Sequence, residues 1–202
     1  MKVITELQCW GTIPYWVALC KADAIFFEKQ ERFQKSGNRN RYHILSASGP
    51  LLLSVPIRGG RENRQLIDEI KIDMNQSWQK KHLRSLDSCY NKSPFYYYFA
   101  DEIKELYETC GDSLFDWNVR LSLWILSKIG QPKKNIYFTT TYQTLYEQDY
   151  SDRRNLFKTN YPALENYIQV YGLGFSPKVS ILDVLFNLGN ETFHYLRRQR
   201  VV

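Results

Sequence analysis

Apolar and polar positions follow a pattern whose period changes along the chain. Val3–Leu7 is a short apolar run, and Ala22–Glu28 (ADAIFFE) is a second one that ends on an acid. Both have the length and the β-branched or aromatic content of buried strands. Gly11-Thr12 interrupts the first run. Thr12 is placed to cap a helix with Pro14 in its first turn, where a missing N–H costs nothing. Tyr15, Leu19 and Ala22 then fall on one helical face. The chain thus opens β-α-β, a connection that allows a parallel strand pair.

A polar stretch marked by Gly37 leads into YHILS and LLLSVPI. Turn residues Ala47-Ser48-Gly49-Pro50 join these two, predicting a hairpin over Tyr42–Ile57. Arg58–Asn63 reads as a basic turn. LIDEIKID then sets Ile70 and Ile72 against Lys71 and Asp73, the alternation of a strand with one wet face. Helical spacing dominates from there. One helix runs from Ser77 through Tyr90. Another starts at Ser93-Pro94 and repeats Phe95, Phe99, Ile103 and Leu106. A third runs from Asp112-Ser113 through Ile129 and is closed by Gly130 with Pro132 beyond. In FYYYF, phenylalanines four apart argue for a core face over a stacking platform. Asn135–Tyr142 has strand composition, and Gln143–Pro177 reads as loop with a short strand at IQVY. Ser180 and Asp183 have capping-box spacing before a helix that Gly189 closes, and Asn190 is placed to cap a last one.

The expected fold is α+β (or α/β). A β-α-β unit plus a hairpin form a mixed sheet, followed by packed helices and a short C-terminal strand and helix. One domain is expected over 1–202, sheet-rich and basic over 1–75 and mainly helical over 76–202. A hydrophobic share of 44% is enough for a real core. No run approaches the ~18 apolar residues of a membrane span, and the start lacks a signal-peptide layout. The expectation is a cytoplasmic protein without membrane insertion. Cys9, Cys20, Cys89 and Cys110 share no metal-type spacing and read as packed free thiols. A nucleophilic role for Cys9 is the lesser alternative.

Charge sharpens the picture. Arg32–Arg64 holds seven basic residues and one acid, a net of +6, which equals the excess of the whole chain. Such a segment suits phosphate, carboxylate or nucleic acid, or is simply a solvated face. No H-E-x-x-H, G-x-S-x-G, P-loop, G-x-G-x-x-G or D-x-D pattern is present, so neither metal nor cofactor is expected. Two constellations remain. Lys35, Arg39, Asn40 and Arg41 offer guanidinium forks, an amide and a point charge for an anion. The plainer reading has the asparagines capping the loop and the arginines solvated. On the helix SWQKKHLRSLDSCY, Trp78, His82, Ser85 and Cys89 fall within about 60° of one another. His82 suits either a general base or a histidine bonded to a backbone carbonyl.

These residues carry a resemblance. Gln8, Pro14-Tyr15, Lys35, Asn40-Arg41, Gly49–Pro56, Ile70–Asp73, Trp78, His82, Tyr90, Ser93–Tyr96 and Ser180–Gly189 occur in the order seen in the WbqC-like family of bacterial proteins. Cys9–Ile13 departs from the aromatic and proline-rich stretch of many relatives. The resemblance implies a role in surface-polysaccharide (O-antigen) synthesis and transfer of an acyl or aminoacyl group, such as glycine, to an activated sugar. On that reading His82 takes the acceptor's proton and Asn40 or Arg41 faces the carbonyl oxygen. Lys35 and Arg41 hold an anionic group, Tyr15 and Trp78 offer faces to a sugar, and Pro14 and Gln8 complete the set. Asn38-Arg39 does not fit the family pattern and is assigned to solvent. The partners are a nucleotide- or lipid-linked sugar and an activated donor. The alternatives are a nucleic-acid or tRNA-binding module, which is not favoured, and a non-catalytic assembly protein.

Overall fold

The computed structural model describes residues 1–35, 37–59, 65–130, 134–155, 163–171 and 174–200. The end of the basic segment, Gly60–Arg64, and Pro132 lie outside them. The β-α-β opening is present: β1 (Lys2–Thr5), α1 (Ile13–Lys21) and β2 (Ala24–Phe27), with β1 and β2 parallel and in register from Lys2–Ala24 to Thr5–Phe27. Thr12 Oγ1 accepts from the Tyr15 N–H and Pro14 sits in the first turn, as the sequence predicts.

The hairpin is β3 (Arg41–Ser46) and β4 (Gly49–Ser54), antiparallel from Arg41–Ser54 to Ser46–Gly49. Helices α2 (Trp78–Tyr90), α3 (Tyr96–Glu108) and α4 (Leu114–Lys128) follow. Then come β5 (Asn135–Phe138), β6 (Tyr150–Asp152), α5 (Ile181–Leu188) and α6 (Thr192–Arg198). The class is α+β. The hairpin does not join the parallel sheet, so a single mixed sheet is replaced by two: β5-β2-β1-β6, with every pairing parallel, and β3-β4.

Three local expectations are corrected. Ile70–Asp73 is no strand: Ile67–Glu69 makes a 3₁₀ turn, and Lys71 and Ile72 form isolated bridges to Ser113 and Ile57. Its alternation still holds as burial, with Ile70 and Ile72 inside and Lys71 exposed. IQVY is not a strand, and Ile168 is exposed. Ser180 precedes α5 but makes no side-chain cap, and Asp183 instead accepts from Tyr90, Tyr167 and Gln169.

The core brings the two halves together. Helix α1 packs on α5 and α6, and α2 packs on α3 and β3. Trp10, Trp16, Tyr15, Tyr90, Tyr107 and Trp117 are among its largest buried side chains. The core reading of FYYYF holds in part: Phe99 and Ile103 are buried on α3, but Phe95 precedes the helix and is exposed, Tyr96 is buried instead, and Tyr97 and Tyr98 face outward. No helix among the described residues is long and apolar enough to cross a membrane.

Candidate functional site at the carboxyl edge of the parallel sheet

The strand order decides where to look. From β1 the chain moves out to β2 and β5 on one side, then returns to place β6 on the other. The order therefore reverses between β1 and β6, and ligands of open parallel sheets bind outside the carboxyl ends at such a point. Each strand here ends on polar residues: Thr5-Glu6 after β1, Glu28 after β2, Thr139 after β5, and Asp152 with Arg154 at β6.

Glu6 is fully buried. Its Oε1 accepts from Gln8 Nε2 at 3.0 Å, and its Oε2 from the Asn155 N–H at 2.8 Å and Thr5 Oγ1 at 3.4 Å. Gln8 Oε1 in turn accepts from the Thr12 N–H at 3.2 Å, tying Glu6 to the start of α1. No cation pairs with Glu6 among the described residues. Glu28, also fully buried, accepts from Gln30 N–H at 3.0 Å, Tyr146 Oη at 3.1 Å, Thr139 Oγ1, and Arg154 Nη1 at 3.4 Å. The Arg154 guanidinium lies between the rings of Tyr142 and Tyr146, 5.0 and 4.9 Å from their centroids. It also binds Asp152 and the carbonyls of Gln143 and Thr144, so its donors are spent on holding this edge together.

Arg39 corrects a sequence expectation outright. It is not solvated but fully buried, with Nε 2.7 Å from Glu31 Oε1 and Nη2 bonded to Glu31 Oε2. Segment 37–40 threads inward, because the Asn38 carbonyl accepts from Cys9 N–H at 2.8 Å and the Arg39 carbonyl accepts from Asn118 Nδ2 at 2.7 Å. Burial pushes the Glu31 carboxyl above its usual range. Arg39 opposes that shift, and the Glu6 and Glu28 charges add to it. Among the described residues Glu31 pairs with Arg39, and Glu28 and Asp152 pair with Arg154. No group of three potential metal ligands is close enough to hold an ion among the described residues.

The other expected site residues divide. Gln8 and Tyr15 belong to this edge. Tyr15 is buried, and its phenol is held neutral first by burial and then by the Glu6 charge. Pro14 is buried in the first turn of α1. Asn40 and Arg41 stand at the base of the hairpin. Asn40 Nδ2 donates to the Val55 carbonyl at 2.9 Å, and Arg41 Nη2 donates to the Lys35 carbonyl. Lys35 is half-buried.

His82 and Trp78 lie elsewhere, their rings 5.1 Å apart, in a cleft of about 340 Å³ lined also by Leu52, Ser54, Pro56 and Lys81. None of Lys35, Asn40, Arg41, Tyr15, Pro14 or Gln8 lines that cleft. His82 Nε2 lies 3.2 Å from the Ser54 carbonyl and Nδ1 lies 3.3 Å from Tyr42 Oη. Burial lowers its pKa to about 4. Both ring nitrogens are engaged, so the geometry matches the carbonyl-bonded alternative and not the base. Cys9 is buried, and burial pushes its thiol pKa up, against any nucleophilic role.

Sequence reasoning passed over Glu6, Glu28 and Glu31. A signal was present: VIT-Glu6 and IFF-Glu28 each place an acid directly after the apolar run of a parallel strand.

A model of the WbqC-like protein family matches residues 12–153, well over half of the chain. The match includes Glu28, Glu31, Arg39, Asn40, Trp78 and His82, and leaves Glu6, Gln8 and Arg154 outside it. A Mycobacterium tuberculosis (strain ATCC 25618 / H37Rv) protein, described as uncharacterized protein Rv1507c, is 27% identical over 213 residues, covering 91% of each chain. No solved structure matches. The chain belongs to the WbqC-like protein family.

Proposed function

We propose that this chain is a cytoplasmic transferase of bacterial surface-polysaccharide synthesis, moving an acyl or aminoacyl group such as glycine onto an amine or hydroxyl of an activated sugar. One observation carries the reading: Glu6, fully buried and without an ion-pair partner among the described residues, stands where the parallel strand order reverses. A buried carboxylate held by neutral donors is costly to keep for stability alone. It suits proton transfer. The acceptor nitrogen or oxygen attacks the donor carbonyl carbon, and Glu6 takes the proton released. The carbonyl electron pair moves to oxygen and returns as the bond to the leaving thiolate or alkoxide breaks, and Glu6 returns the proton to that group.

The test is incubation of the purified protein with an amino-sugar nucleotide and, separately, an acyl thioester and an aminoacyl-tRNA, with the acceptor mass followed. Wild type adds the acyl mass, and Glu6→Gln lowers the rate by about 10²-fold or more, the range of a lost general base. No mass gain with either donor class, or full activity in Glu6→Gln, overturns the reading. The nucleic-acid alternative is weakened by the basic segment itself. Arg39 is spent inside on Glu31, and Arg41 binds the Lys35 carbonyl.

A further inference from the structure

The two edges of the hairpin differ. The Val55 N–H donates to the Asn40 carbonyl at 2.7 Å, one step beyond the Arg41–Ser54 pair. Antiparallel ladders alternate, so Leu51, Leu53 and Val55 turn their backbone groups toward β3, while Pro50, Leu52 and Ser54 turn theirs outward. The same alternation turns His43 and Leu45 outward on β3. That edge is covered: the His43 carbonyl accepts from the Ser180 N–H at 2.8 Å, and the Leu45 N–H donates to Tyr90 Oη at 2.9 Å. On the β4 edge the Ser54 carbonyl is taken by His82 Nε2. Among the described residues the Pro50 carbonyl, the Leu52 N–H and carbonyl, and the Ser54 N–H have no partner. Pro50, Leu52 and Ser54 are all exposed. Open strand edges are templates for a further strand and are commonly guarded by charged side chains. Tyr42–Ile57 contains no lysine, arginine, aspartate or glutamate.

We infer that β4 pairs with β4 of a second copy of this chain, antiparallel about a twofold axis at Leu52, and joins the two hairpins into one sheet. The order of partial charges along the edge selects this partner. At the axis, each Leu52 N–H donates to the Leu52 carbonyl of the other copy. Further along, Ser54 faces Pro50 of the second copy, and the Ser54 N–H donates to that carbonyl. Most strands would also aim an N–H at the Ser54 carbonyl, which His82 already occupies. Proline brings none. Each free group on the edge is thus matched and no donor is stranded, the self-complementarity of an isologous contact. Apolar surface is covered as well. Leu52, 43% exposed, meets its own symmetry mate, and Leu51, 39% exposed, lies opposite Leu53 of the second copy. The same register carries the exposed turn at Ser48 of the second copy to Pro56, at the mouth of the cleft that Gln76 and Ser77 also line. The inference is independent of the transfer reading.

The experiment is sedimentation velocity over a concentration series, with amide hydrogen exchange followed at each concentration. A monomer–dimer equilibrium is expected, with exchange at Leu52 and Ser54 slowing as the dimer forms. The Leu51 and Leu53 amides, already bonded to β3, are expected to change less. Leu52→Pro removes an N–H that the hairpin itself does not use, so the monomer is expected to keep its fold. It is expected to raise the dimer Kd by about tenfold or more. Leu52→Lys leaves the backbone intact and sets two like charges opposite each other at the axis, with the same loss expected. It decides the matter if Leu52→Pro does not fold. Pro50→Ala aims a new N–H at an occupied carbonyl and is expected to weaken the dimer too. A monomer at every concentration, a dimer whose Leu52 and Ser54 amides exchange as freely as in the monomer, or an undiminished dimer in folded Leu52→Lys overturns the inference. Protection of these two amides by an added capped alternating Thr-Val peptide, in a chain that stays monomeric, gives the edge to a peptide ligand and also overturns it.

Discussion

The hydroxyl of Tyr42 reaches Nδ1 of His82 at 3.3 Å, and that contact is one link in a chain whose direction is fixed. Trp10 Nε1 can only donate, and it donates to Tyr107 Oη at 3.0 Å. Tyr107 Oη lies 2.7 Å from Tyr42 Oη, so the Tyr107 proton points to Tyr42 and the Tyr42 proton points to His82. The Ser54 carbonyl can only accept, so Nε2 carries the imidazole proton. Every member is satisfied with His82 neutral. A second proton on the ring would set two donors face to face at Tyr42. His82 joins α2 to the hairpin and to the aromatic core, which accounts for a histidine there without a catalytic task.

Acid is therefore expected to destabilise the fold through His82. Its folded pKa of about 4 lies below the unfolded value of 6.5, so the native state binds fewer protons and stability is lost as pH falls between those values. The loss from this residue between pH 7 and pH 4 is about 3 kcal/mol. Glu31 and Asp183, whose folded pKa values are raised, act in the opposite sense, so the comparison has to be with a variant. Urea midpoints of wild type and His82→Gln are expected to converge as the pH is lowered through this window. Parallel curves would show that His82 does not carry the dependence.

The Glu31–Arg39 pair gives an asymmetric expectation. Both side chains are almost fully buried, so losing one partner strands the other. Arg39→Met or Glu31→Met alone is expected to cost about 3–5 kcal/mol. Arg39→Met with Glu31→Met is expected to stay within about 2 kcal/mol of wild type, because no charge remains to desolvate. Denaturant unfolding of the three variants closes a cycle, and additive losses would mean that the two side chains do not act as a pair.

What could be read from the chain and what could not separate along a physical line. β1, β2, α1 and the hairpin carry their own signals: apolar runs, a threonine cap with a proline, and a glycine turn. β6 carries none. Its three residues, Tyr150-Ser-Asp152, form a strand because β1 offers a free parallel edge to them. Ile70–Asp73 has strand alternation, but only isolated bridges form there, so the pattern predicted burial correctly and pairing wrongly. The site suffers most, because charge alone does not say whether a side chain faces water. Arg39 reads as surface until Glu31 is seen opposite it. His82 reads as a base until Tyr42, forty residues earlier, is seen to occupy its open nitrogen. The acids after β1 and β2 gain meaning only when the strands prove parallel and adjacent.

Asp183 ties the C-terminal third to α2. It accepts from Tyr90 Oη at 2.9 Å, Gln169 Nε2 at 2.8 Å and Tyr167 Oη, while Tyr90 Oη also accepts from the Leu45 N–H at 2.9 Å. One carboxylate thus joins α5, the segment around 167–169, α2 and the hairpin. Asp183→Asn sets a donor against one of three donors and is expected to cost about 1–3 kcal/mol. Hydrogen exchange should then accelerate first over 163–171, the part held by Tyr167 and Gln169. Uniform acceleration across the fold would mean that Asp183 is not the local tie.

The turn after β1 sets a last and stricter test. Trp10 and Gly11 both have left-handed backbone, at φ 59 and 60. The Trp10 carbonyl accepts from Trp16 Nε1 at 2.9 Å, and the Gly11 carbonyl accepts from the Ile181 N–H at 3.0 Å. A Cβ on Gly11 would come within 2.6 Å of Trp16 Nε1 and of Tyr15 Cδ1, two rings that are themselves buried. Gly11→Ala therefore adds overpacking to backbone strain, about 3 kcal/mol or more in all. Gly49→Ala is the control: its φ is also positive, at 103, but a Cβ there meets nothing within 4 Å. It is expected to cost only the backbone share, about 1–2 kcal/mol. Because Tyr15 lies in the field of Glu6, Gly11→Ala should also weaken the acyl transfer proposed for this edge, whereas Gly49→Ala should leave it unchanged. Equal stability losses in the two variants would show that the rings yield to the added methyl and that the turn does not hold Tyr15 in place.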